Sequence, residues 1–428
     1  MTEVRVSTKH TDRPERSSRR FLRILAINYE KLGVELYVEN HLRQFIAIAK
    51  RGHEVTCLYV KAGPSQRNLV STQGFKLEAL PIRKVVPIQP FFLFELMAIW
   101  RIVRSISHYD AVIVDIISLP ILFPIFLIRR IGSRLPCLFL RITTSPVDTG
   151  GQLRSFSYSA WYAFSIRLAA SLFDKIFFIS PMMGRSYSDQ LHIPKSKLGV
   201  WPTSVDTGVF DPASATEARS LREELGLSDR VVVLYHGVLS RNRGILETIE
   251  AFRILREKSV SATFVILGFG PLMNEFRDFV RANRLDDVVK IRGPVDYVEV
   301  PRYVAACDVG IVPLPDHPWW RYQSPIKVLE CLAMNKPLIV SDIPANRWII
   351  GDAAAALYLS GTSPEKIADG VQTFLTMRGK LDPNSGRDVA SRFSVENIAQ
   401  HIEEEINYTV RGGSSPNVQP PFSRRVVQ

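Results

Sequence analysis

From Phe21 onward, short apolar runs alternate with longer stretches in which apolar residues recur every three or four positions. That alternation predicts parallel strands joined by crossover helices. "FLRILAIN" reads as a strand and "KLGVE" as a loop whose Gly33 permits close approach of the backbone. "LYVENHLRQFIAIAKRG" reads as a helix ending at Gly52, and "EVTCLYV" as the next strand. Together they make a βαβ unit. A second series follows the helix "EARSLREELG". It holds "VVVLYHG", "ATFVILGFG", "VVKIRGPV", "VGIVPLP" and "KPLIVSD", five short β-rich runs separated by helical stretches. This spacing predicts a second doubly wound domain.

Between the two series, "WPTSVDTGVFDPASAT" (201–216) is polar, holds proline and glycine, and lacks sustained periodicity. It reads as the interdomain linker. The expected organisation is a disordered basic tail (1–20), an N-terminal Rossmann-like domain (21–204) and a C-terminal Rossmann-like domain (205–390). A C-terminal helix (391–410), able to pack back on the first domain, and a disordered tail (411–428) complete it.

The longest apolar tract, "AVIVDIISLPILFPIFLI" (111–128), matches a membrane span in length but carries Asp115, Pro120 and Pro124. A strand, a short helix and a second strand explain it better than a span. The stretch "FFLFELMAIWRIVRS" (91–105) is amphipathic and basic at its edge, which suits either core packing or a membrane surface.

Length supports two domains, because 428 residues exceed what one core usually serves. With 46% hydrophobic and 22% charged residues, the chain reads as soluble and globular. Cys57, Cys137, Cys307 and Cys331 are far apart and form no CxxC pair, which suits reduced core thiols in a cytoplasmic protein. The N-terminus lacks the apolar stretch of a signal peptide. A net charge of +12 implies affinity for something anionic. No basic cluster interleaved with aromatics and no recognisable module points to nucleic acid. The expectation is therefore an anionic substrate, with an anionic membrane surface as a further partner and a peripheral position on the inner face of the membrane; a merely soluble basic surface is the competing reading.

In parallel α/β domains, ligands bind in loops after the strands. After "VVVLYHG" comes "VLSRNRG", where Gly237 and Gly244 bracket a turn presenting Arg241 and Arg243 at a helix N-terminus. Free amides and the helix dipole there favour a diphosphate. A solvated loop with two surface arginines is the competing reading. "ILGFGP" runs a strand into Gly268 and Gly270, which can admit a nucleotide or simply form a tight turn.

"YQSPIKVLECLAMNKPLIVSD" (322–342) is more specific. Ser324 is a good N-cap and Pro325 is favoured at the first helical position, so a helix is expected to start there. Ile326, Leu329, Leu332 and Ala333 form its apolar face, and Lys327 lies in its first turn. Glu330 then sits roughly 7 to 8 Å below the helix mouth, at ~1.5 Å of rise per residue. A diphosphate at the mouth would place that carboxylate at an attached ribose, where two hydroxyls can donate to it. An exposed glutamate paired with Lys327 is the competing reading. Asn335 follows the helix, where asparagine tolerates a left-handed turn.

Taken in order, these phrases resemble the retaining GT-B glycosyltransferases of family 4. "IAKRGHEV" (48–55), "PTSVDTGVFDP" (202–212), "GVLSRNRG", "ILGFGP", "IRGPV", "AACDVGIVP" and "SPIKVLECLAMNKPLIVSD" match the family's phrases at suitable spacing, over nearly the whole ordered chain. The resemblance implies two Rossmann-like domains facing across a cleft, with a UDP- or GDP-sugar held mainly by the C-terminal one. It further implies metal-independent hexosyl transfer with retention to a glycan, lipid-linked or polysaccharide acceptor. The nucleotide-sugar is a co-substrate, and no cofactor or metal is expected. Residues carried over are Arg243 at the diphosphate and Glu330 at the ribose. Positive side chains and helix amides can stabilise the leaving diphosphate.

Three departures stand out. Tyr322 occupies the position of the family's earlier glutamate, which contacts the donor sugar. Val238 replaces an arginine, for which Arg241 can substitute from the same loop. In the first domain, Arg141 or Asp148 stands where the family often has histidine. "PDHPWWRY" offers Asp316 as a replacement carboxylate, beside Trp319 and Trp320, which can pack on a sugar face or form a lid that merely buries apolar area. The expected catalytic residues are thus Asp316 and Arg243. A catalytically degenerate partner subunit is the alternative, motivated by Tyr322 and Val238. A nucleotide-sugar epimerase is a third reading, although His53, His108, His192, His236 and His317 show no grouping in sequence.

Overall fold

The computed structural model describes residues 20–31, 36–60, 73–80, 100, 104, 106–115, 136–143, 163–214, 218–227 and 229–413. Two parallel sheets organise them. The first contains β1 (Arg23–Lys31), β2 (Glu54–Val60), β3 (Phe75–Leu80), β4 (Ala111–Asp115), β5 (Cys137–Ile142), β6 (Lys175–Phe178) and β7 (Leu198–Val200). Their order across the sheet is β3-β2-β1-β4-β5-β6-β7. The second contains β8 (Val231–Val238), β9 (Ala262–Phe269), β10 (Val289–Arg292), β11 (Val309–Val312), β12 (Leu338–Ser341) and β13 (Ala356–Leu359), in the order β10-β9-β8-β11-β12-β13.

The five β-rich runs of the second half become β8 to β12. The sequence pattern gave no sign of β13. Its "ALYL" contains no β-branched residue and only Leu359 is fully buried, so it has neither the composition nor the pattern of a core strand. The central strands β4 and β11 are buried along their whole length, as strands covered by helices on both faces must be. Of the apolar tract 111–128, only β4 is described; the helix and second strand expected after it lie outside the described residues.

The helix α1 (Leu36–Lys50) crosses from β1 to β2 and ends at Gly52, whose φ of 99° suits glycine. The helix α2 (Pro181–Leu191) follows β6; in the second domain, α3 (Ile245–Glu257) follows β8, α4 (Met273–Ala282) follows β9 and α5 (Ile326–Ala333) follows β11. Every residue of α5 from Lys327 to Ala333 is buried. The helix lies so close to β11 that a Cβ on Gly310 would sit 2.6 Å from Cys331 Sγ. The thiols of Cys307 and Cys331 are consequently inert: burial pushes Cys307 up to about 12 and Cys331 well above its ordinary value. Asn335 takes the left-handed turn after α5, at φ 53°.

Among the described residues the chain passes between the domains at Val205 and again at Ser394, and a parallel bridge ties these two crossings together. After α6 (Pro383–Arg392), the last described helix, α7 (Val395–Val410), returns to the first domain. There it packs on α1, and Glu403 pairs with Arg51 and with His53 Nε2 at 3.2 Å. A polar seam lines the first crossing. Trp201 Nε1 donates to Gln44 Oε1 at 2.7 Å, Gln44 Nε2 donates to Ser204 Oγ at 2.9 Å, and Arg43 Nη1 meets Asp206 Oδ2 at 2.6 Å.

Candidate functional site

Strand order reverses between β8 and β11, and the crevice beside the C-terminal ends of β8 and β9 is where such a sheet binds ligands. A cavity of about 230 Å³ lies there. The apolar side chains Leu267, Phe269, Val295, Tyr297 and Val300 form its walls, and three charged side chains, Arg243, Lys327 and Glu330, face it. Few polar groups converging in a largely apolar cleft is the usual composition of a small-molecule site.

Glu330 is buried, at 4% exposure, so it is not the surface glutamate of the competing reading. Nor does it pair with Lys327. Its Oε2 lies 2.7 Å from His236 Nε2. Lys327 is buried as well, and its Nζ donates to Tyr235 Oη at 3.1 Å while lying 4.3 Å from that ring's centroid. Burial lowers its pKa below the ordinary 10.5, despite the opposing pull of Tyr235. Arg243 lies in the loop after β8. Its Nε donates to Ser240 Oγ at 3.0 Å and its guanidinium lies 4.7 Å from the Trp320 ring centroid. Trp320 is fixed in turn, because its Nε1 donates to the carbonyl of Asn242 at 2.7 Å.

Several expected residues stand elsewhere. Pro325, not Ser324, is the N-cap residue of α5, so Pro325 is not the first helical residue, and no side chain caps the helix. Ser324 is diverted because its partners lie in the interdomain seam. Thr203 Oγ1 donates to the Ser324 carbonyl at 2.8 Å and meets Ser324 Oγ at 2.6 Å. The mouth of α5 is therefore left with uncapped amides. Ile326 faces the cavity.

Arg241 is 77% exposed and lies 3.5 Å from Glu275 on the surface, outside the cavity lining. Asp316 is likewise exposed, 3.3 Å from Arg321, and does not line the cavity. Trp319 stacks edge-on to His317, with centroids 4.4 Å apart. Gly237 and Gly268 line the cavity, but Gly270 does not. The glycine pair answers first to the fold itself. A Cβ on Gly268 would lie 1.9 Å from the Gly237 carbonyl oxygen, and one on Gly270 would lie 2.1 Å from that of Leu239.

In the first domain, Arg141 is buried at the end of β5 in a two-pronged ion pair with Asp115, at 2.7 and 3.0 Å. Gly33 and Asp148 lie outside the described residues. Tyr322 is half-buried and packs on the core of the first domain, and its carbonyl accepts from Ser180 Oγ at 2.6 Å. Among the described residues, no three His, Cys, Asp or Glu side chains group as a metal set.

Two family models match the chain: Glycosyltransferase Family 4 over residues 33–209 and Glycosyl transferases group 1 over residues 230–377. The chain belongs to the family 4, group 1 glycosyltransferases. Among curated relatives of this glycosyltransferase-family chain is the alpha-D-kanosaminyltransferase of Streptomyces kanamyceticus, 29% identical over 186 residues. That match covers 42% of the chain and 47% of the relative. Another is the GDP-mannose-dependent alpha-(1-6)-phosphatidylinositol monomannoside mannosyltransferase of Mycobacterium tuberculosis, 26% identical over 189 residues, covering 44% and 49%. The chain thus spans about half the length of the curated relatives it matches. Anabaena HepE, solved in complex with UDP, superimposes with a TM-score of 0.70 at 16% identity, over 90% of this chain and 99% of that one. The two share the GT-B fold of paired Rossmann-like domains.

The sequence reading of this family 4 chain missed His236, Tyr235 and Tyr297. A signal for the first two existed in "VVVLYHG", where a tyrosine and a histidine close an apolar strand just before a glycine, at the ligand-facing end of a parallel sheet. Tyr297 gave none. It is placed by packing, with Arg43 4.3 Å from its ring centroid and Phe210 5.4 Å away.

Proposed function

We propose that the protein transfers a sugar from a nucleotide-sugar to a glycan, lipid-linked or polysaccharide acceptor, with retention of anomeric configuration. One observation carries this reading. A buried carboxylate, Glu330, lies one helical turn from a buried ammonium, Lys327, and both face one cavity beside the uncapped mouth of α5. A nucleoside diphosphate fits that order of groups. The apolar wall takes the base, Glu330 accepts from the ribose, and Lys327, Arg243 and the helix amides take the diphosphate. The same cations meet the charge that develops on the departing diphosphate, without calling on a metal.

Both UDP- and GDP-sugars are donor candidates, since HepE was solved with UDP and the mycobacterial relative is GDP-mannose-dependent. Incubation with each donor and a panel of lipid-linked and oligosaccharide acceptors should release nucleotide together with a glycosylated product. Nucleotide binding without turnover over the whole panel would favour the alternative, a degenerate partner subunit. Tyr322 favours that alternative, because it is committed to the first domain where the resemblance expects a sugar-contacting carboxylate.

A peripheral membrane position belongs to the same proposal. Among the described residues no helix is long and apolar enough to cross a membrane. The stretch 91–105 lies almost wholly outside them, but its Trp100 is 59% exposed with Arg104 5.1 Å from the ring centroid, an amphipathic pairing suited to an anionic surface. Co-sedimentation with anionic liposomes at low salt is the expected result, and its failure would remove this part.

A further inference from the structure

The cavity contains a polar contact that the donor-site reading does not use. His236 and Glu330 are both buried, with Nε2 2.7 Å from Oε2. A carboxylate only accepts, so Nε2 carries the hydrogen and donates it. Glu330 Oε1 makes no hydrogen bond among the described residues, and the side chain faces the cavity.

Lys327 precedes Glu330 by three residues on α5, the spacing at which helical acid–base pairs ordinarily join. Here they do not. Two consecutive residues of β8 hold them apart: Tyr235 takes the ammonium and His236 takes the carboxylate. Without the imidazole, Glu330 is free to swing onto Lys327, which would remove a ribose acceptor and a phosphate-binding cation together.

We propose that His236 is a positioning residue that fixes Glu330 with one oxygen presented to the ribose, so that recognition of the ribose hydroxyls depends on the imidazole N–H. The inference rests on the donor-site reading above. It assigns His236 a role in selectivity for ribonucleotides, with no direct part in glycosyl transfer.

The test is calorimetric titration of the full chain with UDP, 2′-deoxy-UDP and 3′-deoxy-UDP, and with the matching guanosine set. For the nucleotide that binds, the wild type should discriminate against loss of at least one hydroxyl by about tenfold, the scale of one hydrogen bond to a charged group. His236→Asn moves its N–H away from the ε position and should reduce that ratio to near one. His236→Gln keeps an N–H there and should preserve it. Melting curves of the unliganded variants establish that both are folded. Full discrimination in folded His236→Asn, or equal weakening toward ribo- and deoxynucleotides alike, overturns the proposal. A wild type that binds nucleotide but ignores both hydroxyls overturns the ribose clamp as well. A wild type that binds neither UDP nor GDP overturns the donor-site reading itself.

Discussion

Ser180 Oγ donates a 2.6 Å hydrogen bond to the carbonyl of Tyr322, joining the N-cap of α2 (Pro181–Leu191) in the first domain to the segment that leads into α5 in the second. The same hydroxyl accepts from Met183 N at 3.2 Å. Tyr322 therefore holds the two domains together at the position where the family resemblance expects a donor-sugar contact. Tyr322→Ala should lower stability by about 1–3 kcal/mol through lost burial. It should change nucleotide affinity by less than about twofold, or ~0.4 kcal/mol. Chemical denaturation and titration with UDP or GDP check the two halves separately.

Arginines of the same loop should behave oppositely. Arg243 faces the cavity, whereas Arg241 is exposed beside Glu275. Arg243→Ala should weaken nucleoside diphosphate binding about tenfold, the scale of one charge-assisted contact. Arg241→Ala and Asp316→Ala should leave affinity within about twofold. Titration of the three variants against one nucleotide decides it.

Lys327 is held in a costly state in the free protein. Its folded pKa is depressed by burial, so between that value and 10.5 the unfolded chain binds the proton more tightly, and stability rises with pH across the window. Lys327→Met should flatten this alkaline rise and raise the melting temperature at neutral pH by about 2 °C or more. The same change should weaken nucleotide binding at least tenfold, on the scale of ~1.4 kcal/mol. A lower melting temperature with intact binding would contradict the assignment.

The clamp of α7 on the first domain makes a separate, acid-dependent prediction. Burial pushes Glu403 up, but hydrogen bonds from His53 and Arg51 outweigh it and hold the carboxyl below its ordinary 4.5. Its contribution is present above about pH 4.5 and lost as pH falls through the lower folded value. Glu403→Gln should cost about 3 kcal/mol at neutral pH and flatten that acid limb, measured by denaturation across pH 3 to 7.

The fold was legible because burial writes itself into periodicity. Strands such as "EVTCLYV" and helices such as "ILETIEAFRIL" show their apolar faces directly, while β13 is short, poor in β-branched residues and mostly half-buried. The candidate site was legible wherever a residue reaches the cavity from its own element, as Glu330, Lys327 and Arg243 do. It was not legible where tertiary contacts decide the outcome. Ser324 has the sequence of a cap, yet Thr203, 121 residues away, takes its hydroxyl. His236 stands 94 residues from Glu330, and only the seating of α5 over β11, the neighbour of β8 in the sheet, brings them together. Asp316 carries the right chemistry on a segment that turns outward to solvent.

Titration of the wild type and of Glu330→Ala with UDP and GDP tests the central claim most directly. Binding of at least one nucleotide to the wild type, weakened tenfold or more by the substitution, is the predicted result, equivalent to ~1.4 kcal/mol or more. Equal affinity in the folded variant, or binding of neither nucleotide to the wild type, would contradict it.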